Sequence, residues 1–596
     1  MKKKLISMLA IIVMVSTVLA ACQDTKTADP TTAKDTTAAT TAKATEEGET
    51  TAADDSGEVV FTDGISGVNQ FPFVEETTEL KIAFPYYPYI MDIDTNEQAV
   101  YIEEVTGLDI IWDILPEQGT DEKINLMIAG GQGLPDLFAS CGTTFTSSFL
   151  ATLGAQGQVT AMNDLIEKWQ YNFAELVEAH PDIIPQITSP DGNIYFMPSY
   201  SRNEPNAYSQ RFWINAKFMD ALGIDKVPET TEEYYDYLVA VKNDDPNGNG
   251  LADEIPLIAA PVNNSWHANI DGFLLEPFVY NDVTNSSSAS GKRRIYMTED
   301  GKVEFAAIQE GYKEGLKYLN RLFEEGLMST DVFTMAKEDM RALVEYEEAE
   351  LVGSLPNGGP HEFANTSGER RKDYVIVPPL EGPDGTRQAY WEEYLGVSVG
   401  MYVFPSASDK QDLAVKLVDF MISEEMTLWS RYGVEGRDWQ RPADGIKAWN
   451  GGQAQMDVTI GDLVWGESQN VYLAGRMHGW SRFGSHANID TGDPYNLEKV
   501  LWDAHIAYIP YATDKRVPPL NYTADEAREY TELFNTLHLY VEQSLAEFVT
   551  GARDIDAGWD DYVAECQKIG VDRLMEINQT AFDRQWADTW KATHFQ

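Results

Sequence analysis

The segment LKIAF (residues 80–84), EQAVYIEE (97–104) and LDIIWDI (108–114) reads as a strand, a helix and a second strand. The two outer pieces are apolar enough to be buried strands, and the middle piece stops near Gly107, a residue type that commonly ends helices. Strand, helix and strand in this order and at this spacing predict a parallel sheet covered by helices. The fold class is therefore α/β.

The pattern continues along the chain. Residues 121–129 predict another helix, and Leu137-Phe138 ends a third strand. Ligands of open α/β sheets bind beyond the carboxyl ends of the strands. The polar and aromatic residues that follow the first and third strands are therefore the first candidates for ligand binding: Tyr86, Asp92, Asn96 and Thr143.

The N-terminus predicts an anchored, extracytoplasmic protein. Lys2–Lys4 precede an apolar run too short to span a bilayer, and Leu19–Cys22 resembles the lipobox of bacterial lipoproteins. That resemblance implies a signal peptide over residues 1–21 and diacylation of Cys22, because two acyl chains give stable anchoring. The alternative is an ordinary cleaved signal with a chance cysteine. Residues 22–59 contain no aromatic residue and predict a disordered Thr/Ala/Asp-rich tether.

Composition restricts the function. The chain has 44 basic and 96 acidic residues among 596, a formal net charge of −52. Such a chain is a poor partner for nucleic acid or anionic lipid, and for a strongly anionic ligand unless a local basic pocket exists. The part after the tether is too long for one core and predicts two domains or lobes. Cys141 and Cys566 could pair, but we expect buried free thiols.

Helix-start signals recur through the body. A Ser or Thr followed three residues later by Glu or Gln is typical of a capping box, in which side chain and backbone satisfy each other at the first turn. The segments with this pattern are 230–233, 408–411 and 523–526.

Residues 245–254, DPNGNGLADE, predict a calcium loop. Oxygen-bearing side chains at alternate positions can converge on one point, and Gly248 and Gly250 permit the tight turns. Many oxygen ligands suit Ca²⁺ rather than Zn²⁺. Pro256 stands where an EF-hand has its bidentate glutamate, so the last ligands have to come from elsewhere. The predicted ligands of this structural ion are Asp245, Asn247, Asn249, Leu251 through its carbonyl, Asp253 and Glu254. The alternative is a metal-free loop whose side chains cap their own backbone.

Short segments spread over the body carry a family resemblance. They are residues 107–112, 124–136, 191–198, 213–223, 432–436 and 548–551. Their order resembles the large extracellular solute-binding lipoproteins of carbohydrate ABC importers in Gram-positive bacteria. The resemblance implies a periplasmic-binding-protein-like fold, with two α/β lobes joined by a hinge and ligand held in the cleft between them. The calcium loop matches the calcium ligands of that family position by position.

The same resemblance implies where the chain changes lobes. Crossings are expected near Pro198, Pro356 and Tyr432. The first lobe would then comprise residues 60–198 and 356–431, and the second lobe, with the calcium loop, residues 199–355 and 432–596.

Aromatic and polar residues in irregular stretches are the candidates for sugar contacts. Sugars stack their C–H faces on aromatic rings and pair their hydroxyls with polar side chains. The candidates are Trp266, Trp391, Glu392, Trp465, Trp480 and Arg482. For any single tryptophan, packing in the core is the competing interpretation.

Together these features predict a monomeric binding protein without catalytic residues. It would capture an oligosaccharide or sugar derivative and deliver it to an ABC-transporter permease at the outer face of the cell membrane. One alternative is a surface-anchored glycan-degrading enzyme, which needs two carboxylates about 5–10 Å apart. Another is a binder of peptides or lipid precursors on the same fold.

Overall fold

The computed structural model describes residues 59–587, except 117–118, 143, 262–263, 284–293, 366–367, 392–395, 460, 462, 464–467 and 474. The predicted signal peptide, Cys22 and nearly all of the predicted tether lie outside the described residues. So do three of the predicted ligand contacts, Thr143, Glu392 and Trp465.

The described strands belong to two main sheets and two small antiparallel pairs. In chain order, β1 to β14 are Phe61–Thr62, Ile65–Ser66, Thr78–Pro85, Leu108–Leu115, Leu137–Ala139, Met197–Ser201, Phe212–Asn215, Ile255–Leu257, Ile295–Met297, Val303–Phe305, Val352–Pro356, Tyr374–Val377, Val397–Val403 and Trp480–Ser481.

Helices cover these sheets and form a C-terminal layer. In chain order, α1 to α18 are Glu97–Thr106, Thr120–Gly130, Ser147–Ala155, Asn163–Trp169, Asn172–Ala179, Ile183–Ile187, Ala216–Leu222, Thr231–Asn243, Ile270–Leu275, Glu310–Glu324, Lys337–Val344, Pro360–Phe363, Gln411–Met421, Glu424–Tyr432, Leu497–Tyr508, Ala524–Val549, Ile555–Ile569 and Val571–Gln585. In the part of the chain that the structure describes, no helix is both long and apolar enough to span a bilayer.

The first sheet has the strand order β14-β6-β13-β5-β3-β4. β3 pairs in parallel with β4 and with β5, as the strand–helix–strand pattern predicted. Helix α1 connects β3 to β4, and Gly107 ends it with φ of 75°, a left-handed conformation that glycine adopts without strain. Helix α2 follows β4, so the predicted elements of this region are confirmed.

The second sheet has the order β12-β7-β11-β8. β11 and β8 are parallel, and β7 runs antiparallel to both β11 and β12. Its core draws on the C-terminal helices, since Leu545, Phe548 and Tyr562 are buried in the same cluster as Phe212 and Ile214 of β7. The two sheets therefore have separate cores, and we call them with their covering helices the first and second lobes.

Three crossings join the lobes: the first two connect the same two sheet edges, and the third leads from the edge of the first sheet to α15. Ser201 pairs with Ser481, so β6 and β14 end together at the edge of the first sheet where β3 and β5 also end. In the second sheet, Phe212 lies opposite Val377 and Pro356. The crossings, residues 202–211, 378–396 and 482–496, thus hold the carboxyl edges of the parallel strands of both lobes toward each other.

The boundaries differ from those implied by the resemblance. Pro198 lies within β6, and the chain leaves the first lobe only after Ser201. The segment expected to return at Pro356 instead forms one more strand of the second sheet, β12, because Tyr374–Val377 pair with β7. Residues after Tyr432 remain in the first lobe through Ser481, since Met477 and Trp480 lie in its core.

A further contact joins the lobes away from the crossings. Asn521, which precedes α16, donates from Nδ2 to the carbonyls of Pro185, Gln186 and Thr188 at 3.3, 3.1 and 2.7 Å. These carbonyls belong to the end of α6 in the first lobe, where a helix has no partners of its own for its last C=O groups. Gln585 of α18 donates to Pro185 as well, at 2.8 Å.

Two of the three predicted helix starts have the expected capping box. Thr230 and Thr523 each cap their helix reciprocally with the glutamate three residues on. Ser408 does not, because its hydroxyl donates to Asp136 at 2.6 Å and its helix begins at Gln411 without a side-chain cap. The expectation of free thiols is confirmed, as Cys141 and Cys566 are both buried and unpaired with each other.

Candidate functional site

An ion pair stands at the start of the first crossing. Arg202 Nε lies 2.8 Å from Glu204 Oε1, directly after β6 ends. The charge of Glu204 acts on His486 and His505, so the third crossing and α15 both face this pair. Position alone therefore makes Arg202 and Glu204 candidates for contact with a ligand between the lobes.

A row of rings leads from this pair into the second lobe. The ring of Tyr208 stacks on Trp391 with 6.4 Å between centroids and meets His505 edge-on at 5.2 Å. Trp502 lies 5.1 Å from His505 and 4.9 Å from His486, on which it stacks. Trp391, Trp502 and His486 are half-buried, so part of each ring remains available for contact.

The carboxyl edge of the second sheet contributes a second group of rings. Trp266 follows β8, His361 follows β11, and their centroids are 6.1 Å apart. Next to them, His267 Nε2 lies 2.9 Å from Ser209 Oγ. The wholly buried Arg211 fixes this region, since its guanidinium donates to the carbonyls of Gly358 and Pro205.

The first lobe contributes a cation stacked on a ring. Arg482 follows β14, its Cζ lies 3.9 Å from the ring centroid of Trp480, and its Nη2 is 2.7 Å from Glu175 Oε2. His180 stacks on Tyr200 at 4.3 Å and meets Trp480 edge-on at 6.0 Å. Sequence-predicted Trp480 and Arg482 thus lie together, although Trp480 is only 9% exposed.

These side chains form one group, which we call the cleft cluster. It consists of Arg202, Glu204, Tyr208, Trp266, His361, Trp391, Trp480, Arg482, His486, Trp502 and His505.

The imidazoles near the crossings are neutral at pH 7. Burial lowers the pKa of His505 to about 4 and that of His267 to about 3. It also lowers the pKa of His361 and His486 below the ordinary histidine value. A neutral imidazole both donates and accepts hydrogen bonds, as a sugar hydroxyl does.

Several buried polar atoms in this region have no hydrogen-bond partner within the described residues. They include the Nδ1 atoms of His267, His361, His486 and His505, the Nε atoms of Arg211 and Arg482, and Ser481 Oγ. Buried polar groups are nearly always hydrogen-bonded to protein, water or ligand. Their concentration at the crossings therefore marks a place where hydroxyl-bearing molecules or waters complete the hydrogen bonding.

Two of the three residues predicted after the first strand, Asp92 and Asn96, act as caps of helical turns. Asp92 caps a short 3₁₀ turn by accepting from Asp94 N. Asn96 is fully buried, caps α1, and donates to the carbonyl of Tyr472 at 3.2 Å. Tyr86 is 45% exposed, with its backbone N–H bonded to Leu115. The capping contacts use the polar groups of Asp92 and Asn96, so we leave these two out of the cleft cluster.

The loop after α8 has the turns that the calcium prediction required. Gly248 and Gly250 have φ of 70° and 78°. Asp245 accepts from Gly250 N at 2.9 Å, and Asn247 and Asn249 each accept from the backbone N–H two residues on. A metal-free loop whose side chains cap their own backbone would make the same hydrogen bonds. Each of these side-chain oxygens nevertheless keeps a second lone pair that could bind a cation.

The donor set of this loop fits a hard cation. Asp253 accepts from the amides of both Asn247 and Asn249, so the carboxylate and amide groups face one another across the loop. Among the described residues, no three carboxylate, imidazole or thiol side chains form a metal site by themselves. A calcium ion here would therefore rely on the amide oxygens and the carbonyl of Leu251 as well.

A cavity of about 190 Å³ lies in the first lobe, at the edge of the sheet opposite the crossings. Ile128, Leu134, Phe138, Val159 and Pro405 line it. It is smaller than a typical ligand pocket, about 300–1,000 Å³, and its apolar walls offer little to a sugar. The crossings are therefore a better candidate than this cavity for the ligand-binding site.

The sequence prediction missed Arg202, Glu204, Tyr208, His361, His486, Trp502 and His505. Histidine could have pointed to several of them: the chain has only eight, and His180, His267, His361, His486 and His505 all lie near the crossings. Spacing in the sequence gives no sign of this, because the chain returns to the site from distant positions.

A family model described as bacterial extracellular solute-binding protein matches residues 94–427, more than half of the chain. The chain belongs to this family. Among its relatives, the fructooligosaccharide ABC transporter substrate-binding protein FusA of Streptococcus pneumoniae is 25% identical over 527 residues, 87% of this solute-binding protein and 92% of FusA.

Solved structures of solute-binding proteins share the fold. FusA in complex with kestose superimposes with a TM-score of 0.68 at 23% identity, covering 86% of this chain and all of that one. An EF-hand mutant of FusA in complex with fructo-nystose gives 0.68 at 22%. An HMO-binding, ABC-transporter-associated solute-binding protein from Bifidobacterium longum infantis gives a TM-score of 0.70 at 20% identity, covering 85% of this chain and 99% of that one.

Proposed function

We propose that this solute-binding protein captures an oligosaccharide between its lobes and delivers it to an ABC-transporter permease. The observation that carries the proposal is the cleft cluster, in which half-buried rings and unpartnered polar atoms from both lobes meet at the crossings. Rings of this kind stack on the C–H faces of sugars, and the polar atoms suit hydroxyls. The relative FusA, named for fructooligosaccharides, supports this choice of ligand class.

Ligand capture requires the lobes to move. The unpartnered atoms of the cluster are shielded from solvent in the present arrangement. Ligand therefore has to enter when the crossings bend and the lobes separate, and it shifts the population toward the closed form. The crossings lie outside regular strands, which is where hinge residues absorb such a change.

A thermal-shift screen tests the proposal. Neutral and acidic tri- to pentasaccharides are added to the purified body, residues 59–596, and the melting temperature is measured. A ligand present at about one hundred times its Kd stabilises the native state by about 2.7 kcal/mol, so true ligands raise the melting temperature clearly. A screen in which no saccharide raises it would contradict the proposal.

The same samples distinguish binding from catalysis. Homologous proteins are named for binding, and we propose that the cleft cluster contains no catalytic residue. Chromatography after prolonged incubation should return every saccharide at its original length. Shorter products whose release stops on replacement of a single carboxylate, such as Glu204→Gln, would instead establish a glycan-degrading enzyme.

We propose further that Ca²⁺ binds the loop at residues 245–254 in a structural role. The donor set supports this, and so does the EF-hand that the solved FusA mutant is named for. Asp245, Asn247, Asn249, Asp253 and Glu254 would hold the ion with the carbonyl of Leu251. It supplies no chemistry to the ligand there; it would fix the connection between α8 and β8.

Anchoring completes the proposal. Cys22 at the lipobox-like Leu19–Cys22 would carry the acyl chains, and residues 23–59 would tether the body beside its permease at high effective concentration. Metabolic labelling with a palmitate analogue should mark the full chain and not the Cys22→Ala variant. Equal labelling of both chains would contradict the anchor.

A further inference from the structure

The charge pairing in the cleft cluster points to a narrower ligand class, if the proposed function holds. A site that recognises carboxylates, sulfates or phosphates needs a cation free to meet them, most often an arginine that binds through two N–H groups. The described arginines at the crossings are already engaged with protein groups.

Two of these arginines face carboxylates. Arg202 is 2.8 Å from Glu204, and Arg482 is 2.7 Å from Glu175. Each pair is formally neutral. Glu175 is more than half exposed, so it lies within reach of molecules that approach Arg482.

The remaining arginines at the crossings are held by neutral groups of the protein. Arg211 is wholly buried and donates to the carbonyls of Gly358 and Pro205. Arg387 donates to the carbonyl of Pro379 at 2.6 Å, and it lies over the ring of Tyr511.

The imidazoles add no positive charge, and the ammonium of Lys515 beside the second crossing is held by Gln388, to whose Oε1 it donates at 3.0 Å. Burial keeps the imidazoles of His361, His486 and His505 neutral near pH 7 by lowering their pKa. The whole chain has a formal net charge of −52, and the field of such a charge repels anions during approach. What the cluster does offer is stacking rings, neutral imidazoles and the carboxylate of Glu204, all of which suit hydroxyl groups.

We infer that the cleft selects uncharged glycans, and that Glu175 and Glu204 are specificity-determining residues that exclude acidic sugars by neutralising Arg482 and Arg202. Glu204 would also accept hydrogen bonds from ligand hydroxyls. Glu175 would act only through Arg482, as a positioning and neutralising residue.

Calorimetric titrations with two panels of trisaccharides test the inference. Kestose, maltotriose and galactosyllactose form the neutral panel; trigalacturonate and sialyllactose form the acidic one. We expect the tightest neutral trisaccharide to bind at least tenfold more strongly than any acidic one, a difference of about 1.4 kcal/mol. Its Kd should be unchanged between about 20 mM and about 500 mM NaCl, because screening acts only on charged partners.

The variant Glu175→Gln adds a gain-of-function measurement. It removes the carboxylate beside Arg482 at an exposed position where folding is not at risk. The preference for neutral over acidic trisaccharides should fall about threefold at low salt, the size of an exposed ion-pair interaction. The control is Glu529→Gln, which removes one of the two carboxylates that pair with Arg573 on the C-terminal helices and should leave the preference unchanged.

The outcomes separate this inference from the proposed function. An acidic trisaccharide that binds more tightly than every neutral one, with affinity lost in high salt, overturns the inference and leaves the proposed function standing. An unchanged preference in Glu175→Gln overturns the role of that residue. If no member of either panel binds, the proposed function falls, and the inference falls with it.

Discussion

The loop at residues 245–254 and the cleft cluster are built in opposite ways. The loop draws its oxygens from ten consecutive residues, and most of its hydrogen bonds stay within it. The cleft cluster draws on residues from Arg202 to His505, brought together by three crossings and two sheets. Changes to the loop are therefore expected to alter the stability of the fold. Changes to the cleft cluster, which two lobes build together, are expected to alter ligand binding and closure of the lobes.

At neutral pH, removing calcium should give a large effect on the free energy of unfolding. Calcium at about one hundred times its Kd contributes about 2.7 kcal/mol, so a chelator should lower the melting temperature of the wild-type body by several degrees. Replacement Asp253→Ala should remove the response to the chelator, because Asp253 meets both loop amides.

The matched control is Asp300→Ala, at an exposed turn where the carboxylate pairs only with Lys302 and Thr298. This variant should respond to the chelator as the wild type does. A chelator that leaves the wild-type melting temperature unchanged would mean that the loop is a metal-free turn, held by its own Asx hydrogen bonds.

Truncating a ring of the cleft should affect binding next most strongly. Trp391→Ala removes a half-buried platform that stacks on Tyr208. We expect the Kd for the tightest neutral trisaccharide to rise at least tenfold, about 1.4 kcal/mol, while the response to the chelator stays that of the wild type.

Trp112 provides the comparison for this prediction, because it packs against Phe84 in the first sheet, with 5.7 Å between ring centroids. Trp112→Ala should lower the melting temperature and leave the Kd unchanged. Equal losses of affinity in the two tryptophan variants would place the ligand outside the cleft cluster.

A substitution of Asn521 tests the contact between the lobes at the end of α6, which belongs neither to the loop nor to the cleft cluster. Asn521→Ala removes the donor to three carbonyls of the other lobe, and a net loss of about 1 kcal/mol of unfolding free energy is expected. Urea denaturation measures it. Asn450→Ala, which affects one exposed turn, is the control; the same stability for both variants would show that Asn521 does not hold the lobes together.

The last expected effect is a dependence of stability on pH that arises at the crossings. Folding lowers the pKa of His267 from about 6.5 to about 3 and the pKa of His505 from about 6.5 to about 4. Below about pH 6.5 the unfolded chain therefore binds more protons at these two histidines than the folded chain does. The contribution of both neutral histidines to the free energy of unfolding is therefore complete above about pH 6.5 and is lost as the pH falls toward about 4.

Melting temperatures at about pH 7.5 and about pH 5 measure this loss. His267→Gln should reduce the difference between the two temperatures, since glutamine does not titrate. An unchanged difference in this variant would show that other groups cause the acid sensitivity.

The sequence predicted the parts of this molecule that depend on neighbouring residues. β3, α1, β4 and α2 follow from local patterns, and so do the turns at Gly248 and Gly250. Ser408 shows how a tertiary contact overrides the capping-box pattern, because its hydroxyl donates a hydrogen bond to Asp136 and does not cap a helix. Features that depend on pairing between distant strands were placed less well.

The lobe boundaries and the cleft cluster show this limit. Nothing local to Tyr374–Val377 indicates that this strand adds to the edge of the second sheet before the chain returns to the first. Trp266, Trp391, Trp480 and Arg482 were chosen for residue type and irregular surroundings, and the structure brings each to the crossings. Asp92 and Asn96 are polar residues that follow a strand, as ligand contacts often do, but their side chains cap helical turns by accepting from backbone N–H groups.

Hydrogen exchange of the body in calcium, with and without a saturating concentration of the tightest neutral trisaccharide, tests most directly whether the ligand site is the cleft between the lobes. We predict slower exchange in residues 202–211 and 482–505 when this trisaccharide is bound, and no change in residues 245–254. Protection confined to one lobe, or centred on the loop, would contradict it.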